Sequence, residues 1–203
     1  MITLLFATRN RHKVRELRRL LNNAPVRLVT LDRFPSIPPA REDGATFRAN
    51  AIKKGLQTSR HTILPVIAED SGLEVRALAG RPGVRSARYA GSAQDDRANL
   101  TKLLRVLKKV PASRRQARFV CVTAVAAGGK LLRVFRGVCR GSIAFKEEGR
   151  GGFGYDPIFI PAGSRKSAAQ LSAARKDRIS HRGQAARALA AWLKRGLGAA
   201  PAG

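Results

Sequence analysis

Acidic residues are scarce in this chain. Thirteen Asp and Glu stand against 40 Lys and Arg in 203 residues, a formal net charge of +27. Long apolar runs are missing as well: no stretch approaches the roughly 18 residues needed to span a bilayer, so no membrane role is expected. The apolar start, Ile2 to Ala7, is too short for a secretory leader and has no basic region before it. Cysteine is limited to Cys121 and Cys139, which lack CxxC or Cys/His ligand spacing. Two free thiols in a reducing compartment, and hence a cytoplasmic protein, are the expectation.

What is present suits a folded enzyme-sized unit. The chain is 44% hydrophobic and 26% charged, enough to bury a core. Its length fits one domain, assigned to residues 1–198, with a flexible tail at 199–203. The basic excess, 29 Arg among the 40 bases, brings a polyanion binder into consideration. No helix-turn-helix, zinc spacing or aromatic-basic ribonucleoprotein motif supports that reading. The bases are spread through every segment, so a solvated Arg-rich surface is expected and no specific nucleic-acid partner.

Hydrophobic periodicity orders the elements. Ile2–Ala7 reads as a buried strand and Arg11–Asn22 as an amphipathic helix carrying Val14, Leu17, Leu20 and Leu21. Val26–Thr30 reads as a strand, the proline-bearing Phe34–Gly44 as a loop, and Thr46–Ser59 as a helix. Pro65–Ala68 reads as a short strand stopped by Glu69-Asp70-Ser71-Gly72. A helix begins at Asp95 or Asp96 and runs to Val110. Ala117–Ala127 and Leu131–Val138 form a hairpin about Gly128-Gly129, with Arg140–Phe145 as an extension. A glycine cluster and the apolar run Pro157–Pro161 follow, and a helix closes the chain over Gln184–Lys194. Helices interleaved with strands early and hairpins later point to an α/β fold with a mixed sheet.

Four runs carry candidate chemistry. Thr8-Arg9-Asn10-Arg11-His12-Lys13 lies between the first strand and first helix, where free backbone N–H groups and the helix dipole suit an anion. It lacks the glycines and Gly-Lys-Ser/Thr ending of a Walker A loop. Glu42-Asp43-Gly44 precedes Asn50 and Lys54 of the next helix. Glu69-Asp70-Ser71 closes an apolar strand, where sites on open α/β sheets lie, and such carboxylates suit Mg²⁺. Gly151-Gly152-Phe153-Gly154-Tyr155-Asp156 offers backbone for close approach, two rings for stacking on a base, and an acceptor. Lys176 and Ser180-His181-Arg182, expected just before the last helix, add donors. Residues 42–74 hold five of the thirteen acids, which runs against the basic bulk.

Together these runs resemble the inosine triphosphate pyrophosphatase family, also called the Ham1-like pyrophosphatases. The likeness extends from Phe6 to about Leu193. It rests on Thr8-to-Lys13, on Glu42-Asp43-Gly44 with Thr46-Phe47 and Asn50-Ala51, and on Ala68-to-Gly72. It continues through Pro82-Gly83 with Ser86-to-Gly91, Gly152-to-Pro157 and Ser180-His181-Arg182-Gly183. Arg9 sits where the family more often has Gly or Asn, and Glu69 where Asp is common.

The resemblance implies an elongated mixed β-sheet flanked by helices, with two lobes around a central cleft, and a homodimer. It implies Mg²⁺-dependent hydrolysis of ITP, dITP and XTP to the monophosphate and pyrophosphate. Thr8, Arg9, Asn10, Arg11, His12 and Lys13 would cradle the triphosphate, with Lys54 as a phosphate partner. Glu42 and Asp70 would hold the metal, Asp70 would be the general base, and Ser71 would touch substrate. Phe153, Gly154, Tyr155, Asp156, Lys176, His181 and Arg182 would bind the base and nucleotide. A pyrophosphatase for another modified nucleotide is the neighbouring alternative.

Overall fold

The structure is a computed structural model and describes residues 1–196; the tail expected at 199–203 lies outside them. Six strands form one mixed sheet in the order β2-β1-β3-β4-β5-β6. In chain order they are β1 (Ile2–Phe6), β2 (Val26–Thr30), β3 (Val66–Val75), β4 (Gln116–Ala127), β5 (Lys130–Ile143) and β6 (Phe159–Pro161). The helices are α1 (Arg11–Leu20), α2 (Phe47–Ser59), α3 (Asp96–Val106), α4 (Ala173–Ile179) and α5 (His181–Lys194). β1 runs parallel to both β2 and β3, and β6 antiparallel to β5. Gly128 and Gly129, at φ 53° and 74°, make the two-residue turn between β4 and β5. Only positive-φ backbone closes such a turn tightly.

The chain divides into two compact units. The first holds Met1–Asp70, Cys121–Gly137 and the residues from Arg182 onward. Its strands alternate as a two-faced sheet requires. Leu4, Phe6, Ile67, Cys121 and Val125 pack with Leu17 and Leu21 and with Ala185, Leu189 and Trp192 of α5. Leu5, Ala7, Val66 and Ala68 form the opposite layer with Ile37. Helix α2 lies on that second layer. At Gly55 an added Cβ would stand 3.5 Å from Ala126 and 3.6 Å from Ala68, so the helix seats closely.

The second unit holds Ser71–Val120 and Val138–His181. Its core joins Leu73, Val75, Leu100, Leu103, Leu107, Phe119, Ile143, Ile158 and Phe159. Helix α3 starts at Asp95, whose carboxylate accepts from Arg97 and Ala98 N–H at 2.8 and 3.1 Å, the usual N-cap arrangement.

Several elements differ from the sequence reading, and α3 ends at Val106 rather than Val110. β3 does not stop at Ala68 but continues through Glu69 and Asp70 to Val75. Buried carboxylates read as a strand end because isolated they would be costly. Here each accepts hydrogen bonds inside the fold. The last helix starts at His181 rather than Gln184, so His181 and Arg182 form its first turn. Helix α4, capped by the Ser172 hydroxyl accepting from Arg175 N–H at 3.3 Å, has no counterpart in the reading.

Candidate active site

Strand alternation separates the two carboxylates of β3. Glu69 shares a face with Ile67, toward α1 and α5, while Asp70 shares the face of Val66 and Ala68, toward α2. Both are buried, at 1% and 6% exposure. Asp70 Oδ2 accepts from Asn50 Nδ2 of α2 at 2.9 Å. One turn on, Lys54 donates to the Glu69 carbonyl at 3.2 Å and is ion-paired with Glu42 from the preceding loop. The Asn50 amide oxygen accepts from Gly44 N–H at 2.7 Å, which ties that loop to the helix. The neighbouring Asp43 points elsewhere: it is exposed and pairs with Lys53 at 2.5 Å.

The electrostatics single out Asp70. Burial pushes its carboxyl above the ordinary range, and nearby Glu42 pushes the same way, against Lys13, Asn50 and Lys54. Lys13 is displaced in the opposite direction. Burial lowers its ammonium, helped by the charges of Arg182 and Lys54 and opposed by Glu69 and Asp70. For both groups burial disfavours the charged form, a pattern typical of working sites.

The turn from β1 to α1 places the Thr8-to-Lys13 run. Asn10 is the N-cap, its side-chain oxygen accepting from His12 and Lys13 N–H at 2.9 and 3.1 Å. Thr8 Oγ1 accepts from Asn10 N–H at 3.2 Å. Arg9, Asn10, Arg11 and His12 are exposed, while Thr8 and Lys13 are half-buried. Lys13, Lys54, Glu42, Asn50 and Asp70 thus gather in the first unit.

The second unit holds the glycine loop. Asp156 is buried and accepts from Phe153 N–H at 2.8 Å and from Lys176 Nζ at 2.6 Å. The same ammonium lies 5.3 Å from the centre of the half-buried Phe153 ring, within reach of its π face. Gly154 N–H donates to Asp96 at the start of α3, at 2.9 Å. Gly152 has φ 73°, and a Cβ there would run into the Asp156 carboxylate. His181 is buried with its ring stacked on Phe119, centroids 4.7 Å apart. Tyr155, expected to stack on a base, is a core residue at 5% exposure whose hydroxyl donates to the Ser86 carbonyl at 2.9 Å. Ser71 opens this unit, half-buried, directly after Asp70.

Comparison with known proteins gives this geometry a context. The model of the Ham1 family matches residues 4–192. The chain belongs to the Ham1 family. It is 48% identical to a dITP/XTP pyrophosphatase of Nocardia farcinica, with 93% of each chain covered. It is 46% identical to one of Geobacillus kaustophilus, with 91% of each covered. Among solved structures, a Ham1 protein from Coxiella burnetii superposes with a TM-score of 0.87 at 37% identity, covering 97% of this chain and all of that one. In this Ham1 chain the sequence reading assigned Arg182 to base recognition, yet its guanidinium is 2% exposed and bonded to two glutamates. Glu16 and Glu69 escaped notice as partners. The available signal was an acid on the buried side of α1, a helix otherwise rich in Arg.

Proposed function

We propose that this protein hydrolyses the non-standard purine nucleoside triphosphates ITP, dITP and XTP to the monophosphate and pyrophosphate, with Mg²⁺. The observation that carries the reading is Asp70: a buried carboxylate of raised basicity, beside Lys13, Lys54 and Glu42, on the central strand β3 of a Ham1 chain. Attack of water on the α-phosphorus forms a P–O bond and breaks the bond to the bridging oxygen, which leaves with pyrophosphate. Asp70 takes the proton of that water, and its raised pKa makes it a better base than an ordinary aspartate. Lys13 and Lys54 offset charge gathering on the phosphate oxygens.

Asp70 and Glu42 fit a magnesium ion. Mg²⁺ needs only one or two carboxylates and takes its remaining ligands from water and phosphate. Glu42 raises the cost of ionising Asp70 until a cation is near. When bound, the ion supplies a charge clamp for the phosphates. Ser71 contacts substrate, and the Thr8-to-Lys13 turn cradles the triphosphate through exposed donors. Phe153, Gly154 and Lys176 serve the purine, Asp156 holds that loop in shape, and His181 supplies a donor that favours a 6-keto group over a 6-amino group.

The protein acts in the cytoplasm as a homodimer, which light scattering at assay concentration tests. A nucleotide panel assayed for pyrophosphate tests the activity. ITP, dITP and XTP are turned over, with ATP and GTP much slower. Release from neither ITP nor XTP in the presence of Mg²⁺ refutes the proposal, and preference for another modified base moves it to the neighbouring alternative.

A further inference from the structure

On the face of β3 opposite Asp70 lies a buried network of polar side chains. Arg182 of α5 donates from Nη1 to Glu16 Oε2 of α1 at 2.6 Å and from Nε to Glu69 Oε2 at 2.9 Å. The other Glu69 oxygen accepts the Cys121 thiol of β4 at 3.3 Å. Glu16, Glu69, Cys121 and Arg182 are all buried, and all four belong to the first unit. The guanidinium thus joins α5, α1 and β3, and Glu69 extends the link to Cys121 of β4.

Such an arrangement is a poor choice for stability alone, since apolar residues of like volume often serve as well. Its geometry fits a positional task. Asp70 follows Glu69 directly and points to the other face of β3, so fixing Glu69 fixes the rotation of the strand where Asp70 leaves it. With both oxygens of Glu69 committed to donors, that carboxylate is also withheld from any cation held by Asp70 and Glu42. Arg182 is committed on two sides, and without Glu16 its fork would have one carboxylate fewer to set its orientation. Glu16 lies one turn beyond Lys13 on α1, so it also ties the helix of the phosphate turn to β3.

We infer that Glu16 is a positioning residue: through Arg182 it locks Glu69 and thereby the placement of Asp70. The inference rests on the proposed pyrophosphatase reading. Its test is Glu16→Gln, which keeps shape and helix propensity but removes the charge, alone and combined with Glu69→Gln. Partners that orient metal-site groups are typically worth about 10–100-fold. The expected result for Glu16→Gln is a fall of kcat for ITP of about ten-fold with KM changed less than about three-fold, and weaker Mg²⁺ binding by calorimetry. The double variant loses no more than Glu69→Gln alone, because both act through one contact. Multiplying losses, or a folded Glu16→Gln with unchanged kcat, overturn the inference. Should Glu16→Gln not fold, Cys121→Ala and Cys121→Ser probe the same lock. Serine, which keeps a donor, retains a higher kcat than alanine, and equal values overturn the inference. Wild-type protein inactive on ITP would instead refute the pyrophosphatase reading itself.

Discussion

Replacing Asp70 by asparagine separates what this residue does for chemistry from what it costs the fold. The carboxylate is 6% exposed, and burial raises its pKa in the folded protein. The unfolded chain keeps an ordinary aspartate value of about 3.9. Below that value the group is protonated in both states and contributes no difference. As pH rises from there through the folded value, the unfolded chain releases its proton first, and the fold loses stability. At neutral pH Asp70 therefore leaves the metal-free protein less stable than an uncharged side chain of the same shape would. An asparagine side chain has the same shape, and its amide oxygen can take the place of Oδ2 as acceptor for Asn50 Nδ2. In Mg²⁺-free buffer at about pH 7.5, Asp70→Asn raises Tm, by about 2–4 °C for each kcal/mol relieved in a chain of this size. The gain shrinks as the pH approaches about 4, near the unfolded value. Turnover of ITP meanwhile falls by roughly 10²–10⁴-fold, the usual worth of a general base. Calorimetry across pH and a pyrophosphate assay read the two effects. A variant that is less stable at neutral pH and keeps near-wild-type turnover would refute the reasoning on both sides.

Further outcomes follow from the same geometry. Mg²⁺ at about 100 times its Kd stabilises the wild type by about 2.7 kcal/mol, and thermal shift shows a smaller effect in Asp70→Asn. Lys176→Met removes the ammonium paired with the buried Asp156 carboxylate. It costs about 3–5 kcal/mol in urea denaturation, most of it recovered in Lys176→Met/Asp156→Asn. Gly152→Ala drives a Cβ into the Asp156 carboxylate. Forcing a side chain into positive φ costs about 1–2 kcal/mol, and displacing Asp156 raises KM for ITP about ten-fold with kcat little changed. Gel-shift binding to duplex DNA falls steeply with salt and is lost by about 150 mM, as diffuse surface charge requires.

Periodic elements were legible from the sequence. Arg11–Asn22 and Thr46–Ser59 are found as α1 and α2, because their apolar spacing matches the faces they bury and Asn10 and Thr46 cap them. The hairpin followed from Gly128-Gly129. Long-range pairing was not legible. Glu69 and Asp70 read as the end of a strand, since nothing local announces that Arg182, 113 residues away, satisfies Glu69. Tyr155 in a glycine loop reads as a stacking ring, whereas its burial is set by Ser86 and the core around Leu73. The acids were more informative than the bases. The charge of +27 is spread through every segment, while the few buried carboxylates, Glu16, Glu69, Asp70 and Asp156, each accept hydrogen bonds within the fold.

The central claim is cleavage at the α-phosphorus, and isotope labelling tests it most directly. ITP is hydrolysed in H₂¹⁸O with Mg²⁺, and the products are separated and weighed by mass spectrometry. The label is expected in inosine monophosphate, with unlabelled pyrophosphate as the other product. Label in pyrophosphate, or release of inorganic phosphate and the diphosphate, would contradict the account.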